Sequence, residues 1–348
     1  MVDHWFRREK SGQRNFAAQT ARLPTSTACF LVSAGFKLDS HATMSSKLQL
    51  TQKTNGTSQP GGDVQPKKKT FAESDFEFGK NRLGQGRFGS VFPAREKKNN
   101  FPVAIKVMFK NMLTNDQTLL QLKREIELQY YLLHKNILTL YGFFDDHDHV
   151  YIVLELCQLG SLFKVIKKYV KLTLHRATYV IDCMADALNY CHARHVIHRD
   201  IKPENVLLTE KFVPKLADFG WAVHAVSSSR QTLCGTPDYL SPEMLNTDNN
   251  HSHTYKIDNW AIGVLYYECL TGQTPFYSKD QTMTFRNIQR ANIKPHADVP
   301  EAAMNVIKGL LTIDVQKRSE LKDVRDNKFV REQVEKYNSN MSARVAAK

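Results

Sequence analysis

The apolar positions of the chain change their spacing several times, and each spacing predicts a different kind of element. Apolar and polar residues alternate at Phe76 and Phe78, and apolar runs follow at Ser90–Phe92 and Val103–Val107. Alternation with a period of two is typical of strands with one buried face. These runs predict a small antiparallel sheet that opens the folded part of the chain near Phe71.

Beyond this sheet the spacing becomes mostly helical. Apolar residues between Leu119 and Leu133 recur every three or four positions, residues 150–154 read as a buried strand, and helical spacing dominates from about residue 160 to Val334. No internal repeat with a period of 20 to 50 residues is present. We therefore expect an α+β fold with two lobes, a small antiparallel-sheet lobe followed by a larger helical lobe.

Residues 1–70 have a different composition from the rest of the chain. They carry eleven Lys or Arg against four Asp or Glu, so this fifth of the chain contributes +7 to a net charge of +13. After Met44 they are rich in Ser, Thr, Gln, Gly, Pro and Lys, with too few large apolar groups to offset chain entropy. We expect a basic, disordered arm and linker over 1–70. Such an arm is attracted to nucleic acid, anionic lipid or microtubules, or is simply a solvated tail.

The remaining composition limits the class of protein. Hydrophobic residues at 42% and charged residues at 24% exclude disorder throughout. The six cysteines contain no Cys-x-x-Cys pair, which argues against a disulfide framework or a thiolate zinc site and favours a reducing, intracellular compartment. No run of 18 apolar residues occurs, so we expect no transmembrane helix and no membrane partner.

Two segments of the expected small lobe suit phosphate binding. The first has the spacing Gly-x-Gly-x-x-Gly-x-Val at residues 84–91, where glycine lets backbone amides close over phosphate oxygens. The same glycine spacing marks dinucleotide-binding turns, but those lead from a strand into a helix, whereas here a strand follows. The second is the apolar strand Val103–Lys106, whose lysine would neutralise phosphate charge in a cleft or would simply be solvated.

Two later segments carry a denser set of functional groups. Residues 198–205 place a carboxylate, an ammonium group and an amide at Asp200, Lys202 and Asn205, a loop able to orient a hydroxyl, hold a phosphoryl group and bind a metal ion. Thirteen residues after Asn205, Asp218 begins an Asp-Phe-Gly sequence and offers hard oxygen ligands suited to magnesium.

The glycine loop, Val-Ala-Ile-Lys, His-Arg-Asp, Asp-Phe-Gly and Ser-Pro-Glu occur in this order, and the series resembles a eukaryotic protein kinase over residues 76–330. Within that superfamily the chain is similar to the Aurora kinases, through Trp221 after Asp-Phe-Gly, Thr-Leu-Cys-Gly-Thr at 232–236 and Arg-Glu-Ile-Glu-Leu-Gln at 124–129. A polo-like or other basophilic kinase is the alternative enzyme, against which Trp221 and Gln129 argue. A pseudokinase scaffold is the non-enzymatic alternative, although every catalytic position holds the expected residue.

The resemblance implies a serine/threonine kinase that uses ATP and magnesium. Its catalytic residues would be Asp200 for the substrate hydroxyl, Lys202 for the migrating phosphoryl group, and the ion pair of Lys106 and Glu125, with magnesium on Asn205 and Asp218. The nucleotide would contact Leu83, Gly84, Gly86, Gly89, Val91, Ala104, Lys106, the gatekeeper Leu154, the hinge residues Glu155 and Cys157, Glu204, Asn205, Leu207 and Asp218. The small lobe would span 76–156 and the large lobe 157–330, with a short flexible tail over 336–348.

The same resemblance implies regulation, partners and location. Thr232 would be the activating phosphosite, and Glu204 would read an arginine near the substrate hydroxyl. Expected partners are proteins with basic Ser/Thr sites and an activator on the small lobe, either a spindle-assembly factor or inner centromere protein. Microtubule or spindle association is expected and direct nucleic-acid binding is not required. The expected location is cytoplasm, spindle and centrosome, and nucleus or chromosomes in mitosis.

Four single residues refine or depart from the pattern. Gly142 and Ser161 favour the spindle-pole (A) type over the centromeric (B) type. Pro93 is expected to interrupt the second strand, since it cannot donate a ladder hydrogen bond. Ser241 stands where the Ala-Pro-Glu motif has alanine.

Overall fold

A computed structural model describes residues 71–86, 89–113, 116–220, 222–224, 237–245 and 254–346. The small lobe is a twisted antiparallel sheet in the order β1-β3-β4-β6-β5, with β2 paired to β3. Its strands are β1 (Phe76–Phe78), β2 (Gly84–Gln85), β3 (Gly89–Glu96), β4 (Phe101–Phe109), β5 (Leu140–Asp145) and β6 (His149–Glu155). The α+β fold with a sheet lobe and a helical lobe is confirmed.

Aromatic residues close one face of the small-lobe sheet. The Phe76 ring stacks on that of Phe144 with centroids 5.9 Å apart, and Phe71 lies 5.4 Å from Phe76. A Cβ added to Gly142 would lie 2.8 Å from the Phe71 ring, so this position has no room for a side chain. Packing against Phe71 thus explains Gly142 within this chain.

The prediction that Pro93 interrupts a strand is wrong. β3 runs through Pro93, which pairs opposite Ala104 in β4, and the Pro93 carbonyl accepts a hydrogen bond of 2.7 Å from Gly79 N–H. Because the nitrogen and carbonyl of one strand residue point to the same side, the missing donor faces Gly79, just past the end of β1. The ladder between β3 and β4 therefore loses no hydrogen bond.

The large lobe packs helices around one apolar core. The helices of the two lobes are α1 (Asp116–Tyr131), α2 (Leu162–Tyr169), α3 (Leu174–His192), α4 (Pro242–Leu245), α5 (Lys256–Thr271), α6 (Gln281–Gln289), α7 (Glu301–Leu310), α8 (Leu321–Asp326) and α9 (Lys328–Ala346). The short strands of the large lobe are β7 (Gly160–Ser161), β8 (Val196–Ile197), β9 (Val206–Leu208), β10 (Pro214–Leu216) and β11 (Val223–His224). Helix α5 is almost wholly buried, and its Trp260 stacks on Phe276. Among the described helices, none combines the length and apolar character needed to cross a membrane.

The prediction of a flexible tail from residue 336 is also wrong, because α9 continues to Ala346. Val330, Val334, Tyr337 and Met341 recur at helical spacing and pack against the large-lobe core. The Tyr337 ring stacks on that of Tyr179 in α3, with centroids 4.0 Å apart. Although this segment is mostly polar, it carries an apolar stripe of one residue per turn.

The predicted arm over 1–70 lies outside the described residues.

Candidate active site

The loop after β8 brings two polar side chains onto one carboxylate. Lys202 Nζ lies 2.9 Å from the Asp200 carboxylate, and Asn205 Nδ2 donates to Asp200 Oδ2 at 2.8 Å and to its main-chain oxygen at 2.7 Å. Pro203 begins a 3₁₀ turn that ends at Asn205 and returns the chain toward Asp200. Asp200 is only 4% exposed, so its orientation is fixed by these bonds.

A buried aspartate on α5 holds this loop from beneath. The backbone N–H groups of His198 and Arg199 each donate to the Asp258 carboxylate at 2.9 Å, and His192 Nε2 lies 2.8 Å from it. Burial raises the pKa of Asp258, but the bonds from His192 and the N–H groups outweigh it and keep that pKa below the usual value. Arg199 has a φ of 67°, a strained conformation that such bonds stabilise.

Asp258 was not among the site residues predicted from the sequence, although its position in the chain indicates a buried carboxylate. It stands near the start of the largely apolar helix Lys256–Thr271. A carboxylate in such a buried helix requires partners, because burying an unpaired charge is costly. The partners, however, lie 59 to 66 residues earlier in the chain, and the helical pattern does not name them.

The small lobe contributes the pair of Lys106 on β4 and Glu125 on α1, with Nζ and Oε1 3.1 Å apart. Burial alone would lower the pKa of Lys106, but the carboxylates of Glu125 and Asp218 raise it above the ordinary value. The Lys106 side chain is therefore fully charged near neutral pH. Gln121 Nε2 on α1 also donates to the Gly220 carbonyl at 2.8 Å, which ties the helix to the Asp-Phe-Gly segment.

The Asp-Phe-Gly segment connects the two groups of side chains. Ala217 N–H donates to Asn205 O at 2.9 Å, and Asp218 follows with a φ of 66°. Phe219 is buried with its ring 4.9 Å from that of His198. A Cβ on Gly220 would lie 3.1 Å from Asp218 Oδ1, so glycine leaves that carboxylate room. The structure thus brings the predicted residues of both lobes to one cleft.

The glycine loop and the strands beside it form the upper wall of the cleft. Leu83 N–H donates to Val91 O at 2.7 Å, and Gly86 N–H donates to Gly89 O at 2.8 Å. A Cβ on Gly89 would lie 1.8 Å from Val107 O, so backbone packing requires that glycine. Gly84, in contrast, has no described atom within 4 Å of such a Cβ. Packing therefore does not require glycine at Gly84, where the open side would allow close approach of a ligand.

The inner wall is apolar. In the register of the sheet, Val91 lies opposite Lys106 and Ala104 lies opposite Leu154. One apolar cluster joins the predicted gatekeeper, hinge and lower-wall residues to two further neighbours: Leu154, Cys157 and Leu207, together with Leu138 and Ala217.

Backbone groups of the hinge have distinct partners. Glu155 N–H donates to Thr139 O at 2.9 Å, while its carboxylate pairs with Lys215 Nζ at 2.8 Å. The Cys157 carbonyl accepts from Gly160 N–H at 3.1 Å. Burial raises the pKa of the Cys157 thiol to about 12, so this side chain is a neutral, apolar filler.

The oxygen atoms available for a cation fit magnesium rather than a tightly caged metal. Asn205 turns its Nδ2 toward Asp200, which leaves Oδ1 as a hard ligand, and the Asp218 carboxylate is the other predicted ligand. Across the described residues, no group of three or more His, Cys, Asp or Glu side chains forms a metal site. Magnesium usually takes only one or two protein oxygens and completes its shell with phosphate and water, which matches this pair.

Next to the loop lies a second group of acidic residues, of which only Glu204 was predicted from the sequence. Burial raises the pKa of Glu268 on α5, and the nearby carboxylates of Glu204 and Asp238 raise it further, while a bond from Tyr239 opposes them. Glu204 itself is exposed in the turn after Lys202. The Glu268 carboxylate therefore lies within electrostatic reach of both Glu204 and Asp238. Thr232 and Trp221 lie outside the described residues.

Comparison with known proteins agrees with this geometry. Residues 78–330 match the family described as protein kinase domain, so the protein is a protein kinase. It is 39% identical to mouse Aurora kinase B over 92% of both chains, 43% identical to mouse Aurora kinase C over 76% of this chain and 95% of the relative, and 43% identical to Caenorhabditis elegans Aurora/IPL1-related protein kinase 2 over 82% and 90%. The chain therefore belongs to the Aurora family of serine/threonine kinases, as the sequence predicted. These relatives do not resolve the predicted preference for the A type.

Proposed function

We propose that this kinase transfers the γ-phosphoryl group of ATP to Ser or Thr in Arg-containing sites, with Asp200, Lys202, Lys106 and Glu125 as the residues that carry the reaction. The observation that supports these roles best is the bonding around Asp200, whose carboxylate is oriented by Lys202 and Asn205 on a buried loop. ATP and magnesium are the cofactors of this family, and the cleft fits both.

Bound ATP with magnesium supplies the γ-phosphoryl group and neutralises part of its charge. Asp200 orients the substrate hydroxyl and accepts its proton as the oxygen forms a bond to the γ-phosphorus. The bond between that phosphorus and the β–γ bridging oxygen breaks, ADP leaves, and the proton later passes from Asp200 to solvent. The Lys202 ammonium group stabilises negative charge on the transferred group. Lys106, held by Glu125, orients the remaining phosphates. Leu83, Val91, Ala104 and Leu207 enclose the adenine, and the hinge backbone at Glu155 and Cys157 hydrogen-bonds to it.

Phosphorylation of a basic peptide with radiolabelled ATP tests this proposal against a pseudokinase scaffold. The wild type should incorporate label, and Asp218→Ala should lose it while retaining the wild-type melting temperature. Asp323→Ala, an exposed aspartate on α8, is the matched control and should keep full activity. Equal labelling by Asp218→Ala and the wild type would contradict the metal-binding role.

The acidic group formed by Glu204, Glu268 and Asp238 supports selection of basic substrates, since three neighbouring carboxylates attract a guanidinium group. A Glu204→Gln variant should raise KM for an Arg-containing peptide several-fold and change kcat little. Glu210→Gln, also exposed, is the control. An unchanged KM for the Arg-containing peptide in Glu204→Gln would exclude Glu204 as its reader.

Activation through Thr232 rests on the resemblance alone. A phosphate there would add nearly two negative charges and would order its segment against guanidinium groups such as that of Arg199. Activity should rise with occupancy of the site, which phosphatase-treated, re-phosphorylated and Thr232→Ala samples would show beside intact-mass mapping. Equal activity in all three samples would exclude this switch.

A role in spindle assembly and chromosome segregation follows from the family, with the activator on the small lobe. Phe109, Met112 and Leu120 are 40 to 51% exposed near the start of α1, which supports a partner at that helix. Removal of residues 1–70 should weaken spindle localisation but leave peptide-kinase activity within a few-fold. Loss of most peptide-kinase activity would place that arm in the catalytic unit.

A further inference from the structure

The outer surface of α2 carries a row of lysines. Lys164, Lys167 and Lys168 stand at positions i, i+3 and i+4, so they share one helix face, and all three are exposed. Leu162 and Ile166 occupy the opposite, buried face. We call Lys164, Lys167 and Lys168 the lysine face of α2.

No carboxylate compensates this face. The sequence has no Asp or Glu from residue 156 to residue 181. In the part of the chain that the structure describes, none of the three lysines forms an ion pair. Lys164 Nζ instead donates to the Leu83 carbonyl at 3.2 Å, and Lys168 Nζ lies 5.1 Å from the centroid of the Tyr169 ring. The face is therefore a concentrated and uncompensated positive charge.

Exposed apolar side chains border the same face. Phe163 is 40% exposed, Tyr169 is 60% exposed and Val170 is 67% exposed. Single exposed apolar residues are common, but a group of them beside unpaired lysines is typical of a surface that binds a partner with both acidic and apolar side chains.

The position of α2 favours a substrate over a membrane. The helix packs against the turn Pro203–Asn205, which follows Asp200, and Lys164 reaches Leu83 in the small lobe. The face thus borders the opening of the cleft. About four residues of extended chain span the ~12 Å length of α2, so a protein chain leading away from the phosphorylated hydroxyl can lie along it. A membrane in contact with this face would obstruct substrate entry.

We propose that the lysine face of α2 binds an acidic, apolar-containing segment of the protein substrate, on the same chain as the phosphorylated residue. The inference rests on the proposed function and adds a substrate determinant to it. The preferred substrate then carries arginine close to the hydroxyl, for the carboxylates of Glu204, Glu268 and Asp238, and Asp or Glu with an apolar residue farther along the chain, for α2.

The test compares three peptides with one Arg-containing phosphorylation site. One is unextended, one has an extension of Glu and Leu, and one has a Gly and Ser extension of equal length. Each extension is attached to the amino-terminal side of the site in one series and to the carboxyl-terminal side in another. The acidic extension should lower KM about five-fold relative to the neutral one, as two or three exposed ion pairs would. A labelled acidic extension without the site should bind in fluorescence anisotropy and be released at about 1 M salt, where the Debye length is ~3 Å.

Two variants of equal charge change separate docking from general electrostatics. Lys167→Glu with Lys168→Glu should remove the five-fold advantage and the anisotropy signal, yet phosphorylate the unextended peptide at the wild-type rate. Lys308→Glu with Lys336→Glu, exposed lysines on α7 and α9, should keep the advantage. Phe163→Ser should partly reduce the five-fold KM advantage of the acidic extension.

Three results would overturn this docking site: equal KM for both extensions in the wild type, equal losses in both double variants, or binding of phosphatidylserine vesicles lost in Lys167→Glu with Lys168→Glu without any change in KM. The last result would assign the face to a lipid surface. Absence of phosphorylation of the unextended peptide would instead contradict the proposed function, while the anisotropy measurement would still report on docking.

Discussion

The two halves of the cleft are held together in different ways. In the large lobe, Asp258 is 1% exposed and binds two backbone N–H groups, so the loop at Asp200 is fixed through its main chain. In the small lobe, Lys106 and Glu125 meet through one side-chain pair at 3.1 Å, and their side chains are 29% and 15% exposed. The large-lobe half has several buried bonds, whereas the small-lobe half has this partly solvated ion pair and the exposed bond from Gln121 to the Gly220 carbonyl.

This difference indicates which half is adjustable. Buried bonds to a backbone are lost only with local unfolding, whereas a single ion pair between a strand and a helix breaks when the helix shifts. We therefore expect the large lobe to keep its geometry and the position of α1 to decide how often the cleft is competent. Substitutions in the two halves should consequently change different observables.

The largest effect is expected for Asp200→Asn. An amide cannot accept the hydroxyl proton, and general-base catalysis contributes about 10²- to 10⁴-fold in rate. The kcat on a basic peptide should fall by that factor, while circular dichroism and the melting temperature stay near those of the wild type. Retention of more than a tenth of wild-type turnover by a folded variant would remove Asp200 from its proposed role. Lys106→Arg should likewise abolish turnover.

Asp258→Asn tests whether the large-lobe half is held by its buried carboxylate. The variant leaves one oxygen for several donors and turns an NH₂ group toward them, so the free energy of unfolding should fall by about 2–4 kcal/mol. Urea denaturation measures this, with Asp323→Asn as an exposed control. A loss below about 0.5 kcal/mol would show that the loop at His198 and Arg199 holds itself without Asp258.

Glu125→Gln should act on activity and leave stability nearly unchanged. Loss of one partly solvated ion pair corresponds to roughly tenfold in kcat/KM, with KM for ATP rising because Lys106 is less well oriented. Melting temperature should move by no more than a degree or two. A large drop in stability would mean that the small-lobe half is as rigidly built as the large-lobe half.

The smallest effect concerns the buried His198. Burial lowers the pKa of this imidazole in spite of the carboxylates of Asp258, Asp218 and Asp200 around it. The unfolded chain therefore binds a proton below about pH 6.5 that the folded chain does not, and stability should decline as the pH falls through that range, by at most about 1.4 kcal/mol per pH unit. His198→Gln should show a shallower decline between pH 7 and pH 5.5 in urea titrations. Identical pH slopes would exclude this proton linkage.

The sequence predicted most of the site because the groups that carry the chemistry are local. Asp200, Lys202 and Asn205 lie within six positions, and the same short turn that spaces them also brings them together. The sequence did not predict the residues whose contact partners lie far away along the chain. Asp258 meets His198 and Arg199 only through the packing of α5 beneath the loop, and Glu268 approaches Glu204 in the same way.

Two residues taken as signs of the A type also have local explanations. Gly142 is required by the Phe71 ring, and Ser161 caps α2 by accepting a hydrogen bond from Lys164 N–H at 3.4 Å. Both roles concern packing and helix capping rather than a partner. They do not by themselves favour one Aurora type.

The sequence by itself determined the two-lobed fold class and the kinase family and named the proposed reacting groups, since periodicity and short motifs are local features of the chain. Tertiary structure alone decided that Pro93 stays in its strand, that Asp258 holds the loop at Asp200 and that the lysine face of α2 borders the cleft. Each of these depends on which surface a residue meets across the fold. That choice is made by the joint burial of distant segments, which no local pattern contains.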